Sequence, residues 1–410
     1  MRVIHLSTED QYGAGRTAVR ISDAVRYQGI DSDVYVLRPG MGSSSCVIRR
    51  GVYEQIKGVM DIKLDEMKIA KYSERGLFHP VGSGIDFGDA EYIKDADILN
   101  LHWVNYGIWS QKLMQLLAKL RKPIVWTMHD MWPITGGCHC DENCGRYSES
   151  CGSCPVLHSN DVNDISSKSL KIKAKLYSGN NITFVGPSRW MTESAKSSTV
   201  AGKNGLNCVN IGNPISGDEF IPRDKDECFR LVKLSTKKKV ILFGAVNATS
   251  DRNKGFDNLR KSLSKLDRSK YILLIFGGVI DGDFEGFETV STGYIYDELH
   301  LSLIYNVADV FVAPSFQDNL PNTVMEALCC GVPVAAFNIG GMPDMIVPDE
   351  NGYLAKPYDC DDLANGIEKC ACRQYDRNSI SNGIRMKYSA ERIGKLYKEM
   401  YLQILSGSDF

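Results

Sequence analysis

The chain has 410 residues, which is enough for two domains of ordinary size. Hydrophobic residues make up 43% and charged residues 24%, as in soluble globular proteins, and the net charge of −2 gives no global attraction to nucleic acid. The chain starts with a strand-like segment rather than a signal peptide, and no apolar run approaches the roughly 20 residues of a membrane span. We therefore expect folding in the cytosol, where the 13 cysteines stay reduced.

The N-terminal residues predict a βαβ unit of a parallel sheet. An apolar strand at 3–6 is followed by a loop, by helical periodicity over 16–28 and by a second strand at 33–37. The loop contains Gly13 and Gly15 shortly before the helix. Such a loop lets the backbone approach a phosphate, although a plain tight turn is the commoner explanation of two glycines.

Residues 51–80 interleave basic and apolar side chains, which predicts an amphipathic basic helix. Such a pattern is usually one solvated face of a packed helix, and the alternative is contact with an anionic membrane surface or a lipid-linked ligand. A second basic helix is expected at 168–175. The basic residues of the first stretch are Lys57, Lys63, Lys68, Lys71 and Arg75.

Two histidines stand at the ends of predicted strands. His102 ends the strand 97–102, and His129 follows the strand 124–128. The carboxyl ends of strands in a doubly wound sheet form the ligand-binding edge. A lone histidine is more often structural, but two at one edge form a candidate site.

Five cysteines and one histidine occur within residues 138–154. The C-x2-C spacing of Cys151 and Cys154 is typical of metal ligands, and cytosolic thiolates bind zinc. A structural zinc site is one interpretation of this cluster, and free thiols held in a loop are the other. Most of the remaining cysteines, such as Cys208 and Cys228, are expected to be small buried hydrophobes.

A linker and a second α/β region follow. Gly and Pro in succession within 209–215 suit a connection between two domains. A strand at 239–243 leads into a loop, and Lys254 and Gly255 stand where the next helix begins. A lysine in a βα loop is a stronger candidate for ligand binding than an ordinary surface lysine.

The C-terminal half contains another βαβ unit, with strands at 310–313 and 334–337 flanking a helix over 322–330. Asp318 lies in the loop before this helix, and Glu326 lies on the helix. A helix N-terminus favours an anion such as a diphosphate, and a nearby carboxylate can accept hydrogen bonds from sugar hydroxyls. An isolated acid pair is more often a capped, solvated helix.

The whole string from 311 to 344 resembles the donor-binding segment of the family-4 retaining glycosyltransferases of the GT-B fold. The family pattern is an acid, seven residues, then Glu, followed by an Ala-rich helix, a G-x-P-V strand and a Gly-Gly turn. The matching residues are Asp318, Glu326, 331–334 and 340–341. The family usually has Glu at the first acid. The shorter Asp318 bears on the choice of donor sugar rather than on the class.

The resemblance implies an α/β protein of the GT-B type, with two Rossmann-like domains facing across a cleft. An N-terminal acceptor-binding domain is expected at 1–212 and a nucleotide-sugar-binding domain at 213–385. Residues 386–410 are expected to form a C-terminal helix that returns to the N-terminal domain.

The resemblance also implies which residues hold the diphosphate. The family has Gly-Arg after a strand and Lys-Gly at the following helix, and Lys254 matches the lysine. Ala245 stands at the arginine position, so Arg252 is the expected substitute. Fixed cations stabilise the charge that develops on a departing diphosphate.

Further roles follow from the same match. Asp318 would bind the donor sugar, Glu326 the ribose, and His129 would contact the transferred sugar. The other donor-binding residues implied by the resemblance are Gly13, Gly15, Tyr294, Ile295, Asn319 and Leu320.

The cysteines resemble a pattern in a bacterial polysaccharide subset of these enzymes, in which Cys138, Cys144, Cys151 and Cys154 correspond and Cys140 is an extra. Four thiolates leave no open position, so a zinc ion here would be structural. No cofactor is expected in catalysis, because cations and helix N-termini can hold the diphosphate.

The resemblance therefore implies retaining transfer of a hexose-type sugar from a nucleotide-diphosphate sugar to a carbohydrate acceptor. The subset implies assembly of a surface polysaccharide such as O-antigen or capsule, with a polyprenyl-linked acceptor and weak contact with the inner face of the cell membrane. Two alternatives stay open. One is a GT-B epimerase that acts on nucleotide-sugars without transfer. The other is a non-catalytic nucleotide-sugar sensor, which the replaced acid at 318 and the missing Gly-Arg would suit.

Overall fold

The computed structural model describes residues 1–40, 47–49, 51–73, 76–82, 91–215, 218–244, 252–278, 284 and 286–408. The chain divides into two units. The N-terminal unit comprises Met1–Pro214 and Ala390–Phe410, and the C-terminal unit comprises Ile215–Ser389. Each unit alternates strands with helices around a parallel sheet. The prediction of an α/β protein with two Rossmann-like units is confirmed.

In the described part of the N-terminal unit, seven parallel strands pair in the order β3-β2-β1-β4-β5-β6-β7. The strands are β1 (Arg2–Glu9), β2 (Asp31–Arg38), β3 (Val47–Arg49), β4 (Ile98–Leu101), β5 (Ile124–Thr127), β6 (Ile182–Gly186) and β7 (Asn207–Asn210). The helices between them are α1 (Tyr12–Tyr27), α2 (Val52–Ile69), α3 (Glu91–Asp95), α4 (Gln111–Leu120), α5 (Ile165–Tyr177) and α6 (Arg189–Ser197). The order reverses between β1 and β4, which is where doubly wound sheets bind ligands.

The C-terminal unit has six described parallel strands in the order β10-β9-β8-β11-β12-β13. The strands are β8 (Lys239–Gly244), β9 (Tyr271–Phe276), β10 (Thr289–Ser291), β11 (Val310–Ala313), β12 (Val334–Phe337) and β13 (Gly352–Ala355). The helices are α7 (Lys225–Leu231), α8 (Phe256–Leu263), α9 (Glu298–Val307), α10 (Asn322–Cys329), α11 (Met342–Met345), α12 (Cys360–Cys372) and α13 (Arg377–Tyr388). Here the order reverses between β8 and β11.

Helix starts follow from local chemistry at several positions. Ser110 and Ser188 accept hydrogen bonds from the first-turn amides of Leu113 and Met191, as N-cap residues do. The N-cap residues of α5, α7, α9, α12 and α13 are all aspartates, namely Asp164, Asp224, Asp297, Asp359 and Asp376.

The last helix, α14 (Ala390–Ser406), belongs to the N-terminal unit and packs on α1. Gly394 makes this approach close, because a Cβ there would lie 2.3 Å from the carbonyl oxygen of Ala24. Residues 386–389, expected in the returning segment, belong instead to the C-terminal unit. They are held there because the amide of Ile215 donates to the carbonyl of Tyr388, whose hydroxyl donates to the carbonyl of Asp344.

The start of α1 differs from the prediction. The helix begins at Tyr12, so Gly13 and Gly15 lie in its first turn rather than in a loop. A Cβ at Gly15 would lie 2.5 Å from the carbonyl oxygen of Glu9, whereas one at Gly13 would meet nothing within 4 Å. Gly15 is therefore required by close packing of the chain before the helix.

Helix α2 presents its apolar side outward, so the usual interpretation of this pattern, an apolar side packed inside, is wrong here. Its buried side carries Gly58, Asp61, Asp65 and Ile69. The exposed apolar residues are Val52, Tyr53, Ile56, Val59, Met60, Leu64 and Met67. Arg75, the last basic residue of the predicted stretch, lies outside the described residues.

The second basic stretch forms part of α5, and one of its lysines is buried. Within α5, the side chain of Lys173 is fully buried, and its ammonium donates to the carbonyl oxygens of Trp132 and Thr135. Lys168, Lys171 and Lys175 remain at the surface.

Candidate active site

The candidate donor site of the C-terminal unit lies where the strand order reverses. The loops that follow β8 and β11 meet there, and the amide of Phe316 donates to the carbonyl of Asn253 over 2.9 Å. The side-chain amide of Asn258 donates to the carbonyl of Pro314. These bonds fix the two loops against each other at the edge where such sheets bind ligands.

Two glycines permit this close approach. Gly255, the N-cap of α8, has a φ of 71°, and a Cβ there would lie 1.8 Å from the carbonyl oxygen of Pro314. Gly340 has a φ of 50°, and a Cβ there would lie 1.9 Å from the carbonyl oxygen of Asp318. Only glycine adopts positive φ without strain and leaves this space. Gly255 and Gly340 therefore shape the site.

Lys254 and Asp318 form an ion pair across the two loops. The ammonium of Lys254 lies 3.0 Å from Oδ2 of Asp318, and both side chains are partly exposed to solvent. The hydroxyl of Ser315 also donates to Oδ2 of Asp318. The two residues that the sequence assigned to diphosphate and sugar are thus adjacent, and each is accessible to a ligand.

Glu326 is buried in α10, with 3% of its surface exposed. The hydroxyl of Tyr305 on α9 donates to its Oε2 over 3.1 Å. Burial of a carboxylate is costly unless donors satisfy it, so Tyr305 supports the position of Glu326. Sequence reasoning missed Tyr305, because nothing in the helical pattern of α9 links it to a residue of α10.

The remaining predicted donor residues occupy different positions in this unit. Asn319 and Leu320 are buried just before α10. Tyr294 and Ile295 follow β10 and are partly exposed, and the ring of Tyr294 packs against Tyr296. Arg252 begins the short 3-10 helix Arg252–Lys254, but its side chain lies outside the described residues. Ala245 lies outside them as well.

In the N-terminal unit, His102 and His129 are brought together at the ends of β4 and β5. Nδ1 of His102 lies 2.9 Å from Nε2 of His129. Nε2 of His102 lies 2.8 Å from Nδ1 of His5, which belongs to β1. His5 was missed by sequence reasoning because only the register of neighbouring strands brings it beside His102.

A second polar row starts at the residue after His129. Oδ2 of Asp130 lies 2.6 Å from Nδ1 of His139, and Nε2 of His139 lies 2.5 Å from Nδ1 of His79. Burial opposes ionisation of Asp130, but the nearby His139 and the amide of Trp132 lower its pKa overall. Asp130 is thus a fixed negative charge beside His129.

The cysteine segment folds so that four thiols are neighbours. Burial raises the pKa of Cys138, and the nearby Cys154, Cys151 and Cys144 raise it further. Cys140 is not among these neighbours. Within the described residues, no three or more His, Cys, Asp or Glu side chains are already arranged to hold a metal.

Part of the C-terminal unit is similar to a known protein family. Residues 237–372 match the family described as glycosyl transferases group 1. The matched stretch, the group 1 segment, spans about a third of the chain. It contains Lys254, Gly255, Asp318, Glu326 and Gly340, so the candidate donor site lies wholly within the group 1 segment.

Parts of the chain are also similar to curated proteins. Sulfoquinovosyl transferase SQD2 of Arabidopsis thaliana is 29% identical over 44% of this chain and 36% of its own length. The putative colanic acid biosynthesis glycosyl transferase WcaC of Escherichia coli is 26% identical over 58% of each chain. The chain therefore spans less than two thirds of the length of these relatives. The family and these relatives are named as glycosyltransferases or transferases, which is the class that the sequence predicts.

The fold is shared along the whole chain. The structure of Anabaena HepE with UDP and glucose superposes with a TM-score of 0.65 at 14% identity, covering 98% of this chain and 99% of that one. At this level of identity the likeness shows the GT-B glycosyltransferase fold and nothing more.

The contact between Tyr305 and Glu326 can be tested by a double-mutant cycle. We expect Tyr305→Phe to lower the free energy of unfolding by about 1.5–3 kcal/mol, because a buried carboxylate loses a donor. We expect the double variant Tyr305→Phe, Glu326→Gln to lose less free energy of unfolding than the sum of the two single variants. The difference should be about 0.5–3 kcal/mol in urea unfolding.

Tyr27→Phe is the matched control, because Tyr27 is 77% exposed in the other unit. Its effect should be small and additive with Glu326→Gln. Additive losses for the Tyr305 and Glu326 variants would contradict the contact.

Proposed function

We propose that this protein is a retaining glycosyltransferase that moves a hexose-type sugar from a nucleotide-diphosphate sugar to a carbohydrate acceptor. The observation that carries the proposal is the ion pair of Lys254 and Asp318 at the strand-order reversal of the unit that contains the group 1 segment. The helix that follows Asp318, α10, carries the buried Glu326. A cation, an accessible carboxylate and a buried carboxylate are the groups that a nucleotide-diphosphate sugar requires.

The chemistry assigns a role to each residue. Transfer breaks the bond between the anomeric carbon and a phosphate oxygen and forms one to the oxygen of an acceptor hydroxyl, so negative charge develops on the departing diphosphate. The proton of that hydroxyl passes to the diphosphate or to solvent. Lys254 would stabilise that charge from a fixed position. Asp318 would then exchange part of its contact with Lys254 for the hydroxyls of the sugar. Glu326 would accept hydrogen bonds from the ribose.

The relatives support a nucleotide-sugar donor and a role in polysaccharide assembly. HepE has been solved with UDP-glucose, WaaB is named a lipopolysaccharide outer core galactosyltransferase, and WcaC is named for colanic acid biosynthesis. We extend these to a surface polysaccharide such as O-antigen or capsule, with a polyprenyl-linked acceptor in the cytoplasm. No cofactor is proposed for catalysis.

The activity is tested by thermal-shift screening with UDP-, GDP-, TDP- and ADP-sugars, followed by measurement of nucleotide release with the donor that binds. Lys254→Ala should lower kcat/KM by about 100- to 1,000-fold, as loss of one fixed charge-stabilising group does. The control is Lys265→Ala, which removes an exposed ion pair with Asp361 in the same unit and should leave kcat/KM unchanged.

The outcomes separate the alternatives. Acceptor-dependent nucleotide release supports transfer, whereas a rearranged sugar with no release would indicate an epimerase. A protein that binds the donor but neither transfers the sugar nor hydrolyses the donor slowly would be a sensor. If Lys254→Ala turned over as fast as Lys265→Ala, the assignment of the donor site would be wrong.

We propose further that Cys138, Cys144, Cys151 and Cys154 hold a structural zinc ion. Their mutual proximity and the preference of zinc for thiolates support this. Burial raises the pKa of Cys151 to about 12, so a metal would be needed to keep this thiol ionised at neutral pH.

Freshly purified, chelator-free protein should contain about one zinc ion per chain, as a four-thiolate site implies. Cys151→Ser should lose the zinc and lower the thermal midpoint, because a structural zinc contributes folding free energy. The control variant Cys140→Ser should keep the zinc and the thermal midpoint of the parent protein. Absence of zinc from the parent protein would defeat the proposal.

The exposed apolar side of α2 supports the proposed contact with a membrane surface. Ile56 and Met67 lie on that side with 55% and 73% of their surface exposed, and Lys63 lies between them along the helix. Each basic residue near an anionic surface contributes about 1 kcal/mol, which fades within a Debye length. Among the described helices, none combines the length and the apolar character needed to cross a bilayer.

We expect weak, salt-sensitive co-sedimentation with anionic liposomes. The double variant Ile56→Asp and Met67→Asp should abolish it while leaving the fold intact, because both side chains are exposed. Met386→Asp is the matched control, since Met386 is 77% exposed on α13. If the parent protein did not bind anionic vesicles at low salt, the apolar side of α2 would have another role.

A further inference from the structure

Three imidazoles form a continuous hydrogen-bonded row in the N-terminal unit. Nδ1 of His5 faces Nε2 of His102 at 2.8 Å, and Nδ1 of His102 faces Nε2 of His129 at 2.9 Å. The planes of successive rings are inclined by only 24° and 21°. Ring nitrogens donate and accept in the plane of the ring, so this arrangement suits N–H···N hydrogen bonds.

All three rings are neutral. His5 and His102 are buried, and burial lowers the pKa of His5 to about 3 and that of His102 well below its usual value. Burial also lowers the pKa of His129 to about 4, although the adjacent Asp130 opposes this shift. Each ring therefore carries one ring proton at neutral pH, and each hydrogen bond needs one donor and one acceptor.

Only two directions of donation are compatible with this row. In the first, Nδ1–H of His5 donates to Nε2 of His102, and Nδ1–H of His102 donates to Nε2 of His129. In the second, every bond runs the other way, and the proton of His5 must then lie on its Nε2. The two directions therefore differ in whether Nε2 of His5, the outer end of the row, carries a proton.

That outer end is a buried nitrogen. Nε2 of His5 is enclosed and has no hydrogen-bond partner among the described residues. A buried N–H without an acceptor is rarer in folded proteins than an acceptor without a second donor. The first direction leaves a bare lone pair at this position, whereas the second would leave an orphan N–H. The first direction is therefore favoured.

We propose that His5 and His102 are positioning residues that hold His129 as the tautomer protonated at Nδ1. In this form, Nε2 of His129 accepts from His102 and cannot serve as a base. Its Nδ1–H is a hydrogen-bond donor. The tautomer follows from the row itself. Its consequence for catalysis is a separate step, which rests on the proposed function and on the contact with the transferred sugar that the family resemblance implies for His129.

The tautomer can be read directly by NMR. In the full-length protein with 15N-labelled histidine, multiple-bond 1H–15N spectra at neutral pH distinguish protonated from bare ring nitrogens, and loss of signals in His129→Gln assigns the ring. We expect a protonated Nδ1 and a bare Nε2 for His129. A protonated Nε2 in the parent protein would overturn the proposal, and this measurement needs no enzymatic activity.

Two variants of His102 separate positioning from packing. His102→Asn places an amide donor near the position of Nδ1, so His129 should keep its tautomer and most of kcat/KM. His102→Leu removes the donor, so the Nε2–H form of His129 should appear and kcat/KM should fall by on the order of tenfold. In a His129→Ala background, His102→Leu should cause no further loss.

The outcomes distinguish this inference from the proposed function. Equal tautomer populations and equal kcat/KM in His102→Asn and His102→Leu would refute a positioning role. If no nucleotide-sugar is turned over by the parent protein, the proposed function fails, while the NMR spectra still decide the tautomer of His129.

Discussion

The candidate donor site depends on how closely two stretches of backbone approach each other. The loop that ends at Gly255 touches the carbonyl of Pro314, and the turn at Gly340 touches the carbonyl of Asp318. Any side chain at either glycine would separate the loops. Because the contact is made by the backbone, the geometry of the sheet and its loops places Lys254 next to Asp318, and side-chain packing does not.

The two units hold their functional side chains by the same physical means. Glu326 is buried and accepts a hydrogen bond from the hydroxyl of Tyr305, and Nε2 of His129 lies 2.9 Å from Nδ1 of His102. In both cases the supporting residue comes from a different element of the same unit. A polar group that is enclosed and hydrogen-bonded has few alternative orientations, so each unit presents preorganised groups to a ligand.

Local patterns made much of this structure predictable. The strands at 310–313 and 334–337 have the predicted bounds, because apolar runs bounded by Gly and Pro define them locally. The bounds of α1 were missed because its N-cap, Gln11, makes no side-chain capping bond and gives no signal in the sequence.

Contacts between distant residues were not predictable in this way. Periodicity shows that α2 has two different sides, but not that Gly58 and Asp61 would face inward. His5 and Tyr305 were missed for a related reason. Their partners are 97 and 21 residues away, and strand register or helix packing decides such contacts.

The return of α14 to the N-terminal unit makes that unit discontinuous in the chain. Tyr397 and Tyr401 are fully buried there, where Tyr397 shares a hydrogen bond with Thr127 and Tyr401 accepts one from Asn100. The whole C-terminal unit is synthesised before these tyrosines, because it precedes them in the chain. The N-terminal unit is therefore begun before the C-terminal unit and completed after it, and until α14 has been synthesised Asn100 of β4 and Thr127 of β5 lack these contacts.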